Sequence, residues 1–175
     1  MTTLRTDRLI LRRARPDDLE AMHGVLSDET AMQYWSHGPH EDIARTKQWL
    51  DSMIEAPAGE SEDFVITLDG QVIGKLGAWR LPEIGFIIHS DHWGRGYAAE
   101  AMRVFLAHIF ESRCVECLTA DVDPRNTGSL RLLKCHGFVE TGYAPGNWNT
   151  HIGVCDSVFL RLDRAAWLKV PHGER

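Results

Sequence analysis

A chain of 175 residues has the length of one domain and enough material to bury a core, and 43% apolar with 25% charged residues marks it as globular. No apolar run approaches the roughly 20 residues of a bilayer span, and the stretch from Met1 to Arg8 lacks the apolar core of a signal peptide, so a cytoplasmic protein without a membrane partner is expected. The net charge of −6, from 19 Lys and Arg against 25 Asp and Glu, argues against nucleic-acid binding and suits a cationic partner such as an amine.

Residues 8–13 read as a first strand. Pro16-Asp17-Asp18 opens a helix that carries Leu19, Met22 and Leu26 on one face. A second helix is expected over residues 41–54, with Ile43, Trp49, Leu50 and Met53 toward the core. Residues 56–62, rich in Glu, Gly and Pro, read as loose chain. Two apolar runs flanking Asp69-Gly70 predict a hairpin, because that dipeptide suits the positive φ angles of a tight two-residue turn. Residues 83–88 form another short apolar strand. From 96 to 111, Ala98, Ala101, Met102, Phe105, Leu106 and Ile109 keep a helical period. A strand over 117–122, a short helix over 129–135 and closing strands over 138–143 and 154–162 complete a single domain of residues 1–170. Residues 171–175 read as a tail. Antiparallel pairs followed by a strand–helix–strand–helix–strand run predict a mixed α/β (α+β) fold, a sheet flanked by helices.

Cysteines stand at 114, 117, 135 and 155. Cys114 and Cys117 have a metal or redox spacing, but no second pair completes a zinc site. They lead into a strand, where residues three apart face opposite ways. Buried, reduced thiols and no metal are expected.

The most informative stretch runs from Ile84 to Ala101. A strand passes through the polar loop of residues 89–92 into Trp93-Gly94-Arg95-Gly96-Tyr97-Ala98, which opens an amphipathic helix. Free amides at such a start attract an anion, and the helix dipole adds roughly 0.3–1 kcal/mol. Gly94 and Gly96 let the backbone approach it closely, and Arg95 adds a charged donor. A pyrophosphate suits this turn. A plain loop entering a core helix is the bland alternative. A triphosphatase loop is excluded because Gly-Lys-Ser/Thr is missing. A dinucleotide fingerprint, Gly94-x-Gly96-x-x-Ala99 with Asp121 as the ribose acid, fits literally, but the polar loop replaces its tight turn and a hairpin precedes it.

The run from Trp93 to Ala101 resembles the acetyl-CoA signature of the GNAT N-acetyltransferase superfamily, and more closely its RimJ/RimL-like branch. Asn126-Thr127-Gly128-Ser129-Leu130, followed by Lys134-Cys135-His136-Gly137-Phe138, is similar to that branch's second pattern, and the stretch from Thr6 to Arg12 to its opening strand. Trp93 stands where the wider superfamily has Gln or Arg, and Leu133 where many members carry a tyrosine acid. The resemblance implies a central mixed, mostly antiparallel sheet of six to seven strands with about four helices.

It also implies an acetyl-CoA donor. The strand at Phe86, Ile87 and Ile88 would pair with the pantetheine arm and polarise the thioester carbonyl. The amides from Gly94 to Ala98 would hold the pyrophosphate, and Asn126 and Ser129 would face the thiol end. An attacking amine must be neutral, and Glu83 is the candidate base, its alternative being an exposed strand-end acid. Ser129 is the candidate donor to the departing thiolate, its alternative being a helix cap. Tyr143 is a more distant choice. Trp35, His37, Trp148, Asn149, His151 and Asp156 fall where the branch builds its acceptor pocket, and Asp156 can hold a cationic amine. The acceptor is a small amine, an amino sugar or a protein N-terminus, and family habit suggests a homodimer. A non-catalytic acetyl-CoA sensor remains the alternative from another class, with the dinucleotide-binding oxidoreductase behind it.

Overall fold

The computed structural model describes residues 2–57, 59–113 and 115–169. Eight strands make one sheet: β1 (Thr3–Arg5), β2 (Leu9–Arg12), β3 (Glu62–Leu68), β4 (Gln71–Arg80), β5 (Glu83–Ile88), β6 (Cys117–Val122), β7 (Val139–Thr150) and β8 (Gly153–Asp163). Their order is β1-β2-β3-β4-β5-β6-β8-β7. Every neighbouring pair is antiparallel except β5 and β6. The α-helices are α1 (Leu19–Ser27), α2 (Glu29–Met32), α3 (Ile43–Glu55), α4 (Tyr97–Ala107), α5 (Thr127–Cys135) and α6 (Arg164–Trp167). Among the described residues the mixed sheet thus has eight strands rather than six or seven, and six helices rather than about four. The additions, β1, α2 and α6, span only three or four residues, too few to display a period.

Alternation along the strands feeds two cores, one on each face of the sheet. Phe64, Ile66, Leu76, Ile84 and Ile88 meet Met102, Phe105 and Leu106 of α4 and Leu133 of α5. On the other face Val65, Val72 and Ile87 meet Met22, Val25 and Leu26 of α1, Met32 of α2 and Met53 of α3. Leu50 and Met53 are buried as expected, but Ile43 is exposed at the first turn of α3 and Trp49 only flanks the second core. The Asp69-Gly70 turn adopts φ of 51° and 85°, as a tight hairpin requires. α4 ends in a π-turn over His108–Ser112 that buries Ile109 and Phe110.

The loose reading of residues 56–62 fails at its end, because Glu62 is buried at the start of β3. Its carboxylate meets Arg13 at 2.7 Å, Arg113 at 3.1 Å and His108 at 3.2 Å. Two guanidiniums offset the desolvation that would otherwise expel it. Cys155 is buried, Cys117 is half-buried at the head of β6, and Cys135 is exposed on α5, contrary to expectation. Cys114 and the tail, 171–175, lie outside the described residues. Among the described residues no helix is long and apolar enough to cross a membrane, and no cluster of His, Cys, Asp or Glu is arranged for a metal.

Candidate active site

The sheet is two half-sheets joined at one point. β5 pairs with β4 from Glu83↔Arg80 to Ile88↔Gly74, and β6 pairs with β8 along its whole length. Between β5 and β6 the register holds only at Glu83↔Thr119, next to a hydrogen bond from the Thr119 amide to the Pro82 carbonyl at 2.9 Å. Beyond that pair the parallel strands part. The edge of β5 past Glu83 therefore carries backbone donors and acceptors that β6 does not use, and such groups need partners.

A cleft of about 570 Å³ opens beside this part of β5. Phe86, Ile87 and Ile88 form its β5 wall, and Asn126, Ser129 and Leu132 its α5 wall. The start of α4 closes one end, with Trp93, Gly94, Gly96, Tyr97 and Ala98 all lining the space. Between β5 and α4 the expected polar loop holds a 3-10 turn, Ser90–His92. Gly94 and Gly96 have φ of 72° and 81°, a region that penalises any side chain, and nothing lies within 4 Å of a Cβ placed on Gly94. The first helical bond of α4 runs from the Glu100 amide to the Gly96 carbonyl, so the amides of Tyr97, Ala98 and Ala99 precede the ladder. The Trp93 indole donates to the Ile88 carbonyl at 2.7 Å and locks the turn to the end of β5. Arg95 does not line the cleft; its carbonyl accepts from Arg8 at 3.0 Å.

Asn126 caps α5, its Oδ1 accepting from the Ser129 amide at 3.1 Å. Capping thus falls to Asn126, and Ser129, in the first turn, stands at the cleft wall. The opposite wall comes from α2 and the residues after it: Thr30, Ala31, Gln33, Tyr34 and Trp35. Trp35 lies over Gly85, its ring edge 3.7 Å from where a Cβ would stand. Asp28 caps α2 and also accepts from the Ser90 amide at 2.7 Å, tying this wall to the turn before α4. Burial alone would raise the Asp28 pKa, but hydrogen bonds from Ser90, Ala31 and Thr30 hold it below the usual carboxylate value.

Sequence reasoning missed α2, because four residues show no period, and it passed over Arg125 and His92. His92 lines the cleft, with Nδ1 buried and unpartnered among the described residues. Burial, then the charges of Arg95 and His89, lower its pKa, which favours the neutral ring.

Glu83 does not line this cleft. It opens on a separate recess of about 430 Å³ with Thr119, Asp121, Thr141, Phe159 and Arg161, on the sheet face where β5 and β6 still touch. Trp148 borders the recess through a 2.8 Å bond from Nε1 to Asp121. Asp156, one strand over, accepts from the Tyr143 hydroxyl and from the Gly146 amide at 2.8 Å, so its carboxylate is engaged within the β7–β8 hairpin. These bonds lower the pKa of Asp156 and raise that of Tyr143. His37 stacks on His40 at 5.0 Å, and His151 packs against Gly38 beside it. Asn149 lies on β7, in register with Val154. The structure thus brings together the residues expected to hold the donor, except Arg95, and leaves Trp148 and Asp156 outside the cleft.

A sheet split at its parallel pair, with a glycine-opened helix at the mouth, has the build of an acyl-transferring enzyme. Residues 8–139 match the model of the acetyltransferase (GNAT) domain. A Bacillus licheniformis relative bearing the name "uncharacterized N-acetyltransferase p20" is 30% identical over 152 residues, covering 81% of this chain and 85% of its own length. A GNAT-family acetyltransferase from Bacillus anthracis superposes with a TM-score of 0.83 at 22% identity, over 94% of this chain and 99% of that one. A spermidine N-acetyltransferase from Vibrio cholerae, solved with CoA and spermine, superposes with a TM-score of 0.81 at 20% identity, over 94% and 100% of the two chains. The chain belongs to the GNAT family of N-acetyltransferases and is an acyltransferase; the sensor and dinucleotide readings give way to it. The family's donor is acetyl-CoA.

Proposed function

We propose that the protein transfers an acetyl group from acetyl-CoA directly to a primary amine, in the manner of the RimJ/RimL-like branch. The observation that carries this reading is the open glycine turn at Gly94 and Gly96, set at the mouth of the split between β5 and β6. The residues present fit the donor. A long, flexible diamide arm suits the unused edge of β5, and a diphosphate suits the free amides of residues 94–98. Bound there, the donor supplies a reactive thioester.

The chain's own groups divide the remaining work. A β5 amide near Phe86 and Ile87 polarises the acyl carbonyl. The Ser129 hydroxyl donates to the departing sulfur. Glu83 removes the proton of the incoming amine from the recess side, directly or through one water. Trp35 shapes the acyl end of the cleft, and Trp148 and Asp156 form the rim that an acceptor meets first. The acidic balance of the chain and the carboxylates of Glu83 and Asp121 in the recess support a cationic acceptor: a small polyamine-like amine, an amino sugar or a protein N-terminus.

Thiol release from acetyl-CoA across a panel of these amines tests the reading. Amine-dependent release with a matching N-acetylated product is expected. Binding of acetyl-CoA without turnover on any amine class would overturn the catalytic part.

A further inference from the structure

The residues before β2 reach across to the first turn of α4, where the donor's diphosphate is read to sit. Glu100, the fourth residue of α4, is tied there completely. Its Oε1 accepts from the Thr6 hydroxyl and from the Arg8 amide at 3.0 Å, and its Oε2 accepts from Arg8 Nε at 2.7 Å and meets Nη2 at 2.5 Å. Nη1 of the same guanidinium donates to the Arg95 carbonyl at 3.0 Å, inside the glycine turn, and the group lies 4.6 Å over the Tyr97 ring. A Cβ on Gly96 would stand 3.5 Å from Nη2. Arg8 thus touches two residues of the turn, Arg95 and Tyr97, and the carboxylate that follows them.

The chemistry of that carboxylate is the point. Glu100 sits about one turn, ~5 Å, along the helix from the amides of residues 96–98. A negative charge in the first turn competes with an incoming anion for the positive end of the helix. Glu100 is largely buried, its side chain 12% exposed, so solvent screens it weakly. Burial alone would raise its pKa, but the bonds from Thr6 and Arg8 keep it lowered, so it is a charged group that must be neutralised in place.

We propose that Arg8 is a positioning residue for the donor's diphosphate: by pairing with Glu100 and holding the Arg95 carbonyl, it keeps the start of α4 positive and its amides open. The inference rests on the acetyl-CoA reading above. It gives the segment between β1 and β2 a functional task beyond completing the sheet.

Fluorescence titration, using Trp35 and Trp93 at the cleft, measures binding of CoA and of S-acetylpantetheine, which has no diphosphate. Arg8→Gln is expected to weaken CoA about tenfold while changing S-acetylpantetheine less than about twofold. Arg8→Gln combined with Glu100→Gln is expected to recover most of the lost CoA affinity, because the charge to be neutralised is gone. Glu100→Gln alone, which keeps the hydrogen-bonding shape, is expected to bind CoA at least as well as the wild type and stands as the test if the Arg8 variants fail to fold. Equal losses for both ligands, no recovery in the double variant, or weakened CoA binding in Glu100→Gln alone overturns the proposal. If the wild type binds S-acetylpantetheine no more weakly than CoA, or binds neither, the acetyl-CoA reading itself falls and takes this inference with it.

Discussion

Glu83 and Thr119 stand opposite each other as the one register pair between β5 and β6, and the two strands separate immediately beyond them. Glu83 therefore occupies the vertex of the split, with the recess on its own side and the cleft opening toward the carboxyl ends of the strands. A base at that vertex can meet an amine arriving from one side while the thioester arrives from the other.

Glu83→Gln is expected to lower kcat/KM for the amine by about a hundredfold, because the amide cannot take a proton. Stopped-flow or coupled thiol assays measure it. An unchanged kcat/KM assigns the base to another group.

Ser129→Ala is expected to reduce kcat by about tenfold or more with little change in the KM for acetyl-CoA, if its hydroxyl acts as proposed, on the departing sulfur rather than in holding the donor. The variant should keep its melting temperature, because Asn126 supplies the helix cap. Unchanged turnover removes Ser129 from the mechanism.

The two strands that build the β5 wall tolerate no side chain at Gly74. A Cβ there would lie 2.2 Å from the Ile87 carbonyl oxygen and 2.9 Å from the Ile88 Cα. Gly74→Ala must push β4 and β5 apart, with an expected loss of about 2–3 kcal/mol and a matching fall in donor affinity. Chemical denaturation measures the first and CoA titration the second. A variant of wild-type stability would show that the pair yields without cost.

Sequence reasoning reached most of the cleft lining because that lining is local. The glycine turn, β5 and the start of α5 each lie within a short run whose spacing displays its own purpose. The hairpin at Asp69-Gly70 was legible for the same reason. What was not legible comes from distant chain. The wall made by Thr30 to Trp35 depends on a four-residue helix fixed by the Asp28 cap and by its long-range bond to Ser90. The engagement of Asp156 by Tyr143 depends on the register of β7 with β8, which contains two irregularities. Glu62 looked like part of a loose segment because its partners Arg13, His108 and Arg113 are remote in sequence.

Stability should fall on acidification through a buried histidine. His40 is 3% exposed, and its Nδ1 shares the Thr46 hydroxyl, 2.9 Å away, with His23 Nδ1 at 2.8 Å. One hydroxyl proton serves one ring, so the other ring must donate from its Nδ1. Burial, then the charges of His37, Arg45 and His23, push the His40 pKa down from 6.5 to about 4, with Asp42 opposing. Between those values the unfolded chain binds the proton and the folded chain does not, so stability drops as pH falls from 6.5 toward 4. The melting temperature of His40→Gln is expected to depend less steeply on pH across that window. Identical slopes would place the pH dependence elsewhere, for example on His37 or His92, whose pKa values are also lowered.

Hydrogen exchange with and without acetyl-CoA examines the donor site most directly. Added acetyl-CoA is expected to slow exchange at the backbone amides of residues 85–88 and 94–98, with the recess at Thr141 and Arg161 unchanged. Exchange that stays the same at Gly94, Gly96, Tyr97 and Ala98 while the donor is bound would contradict the account.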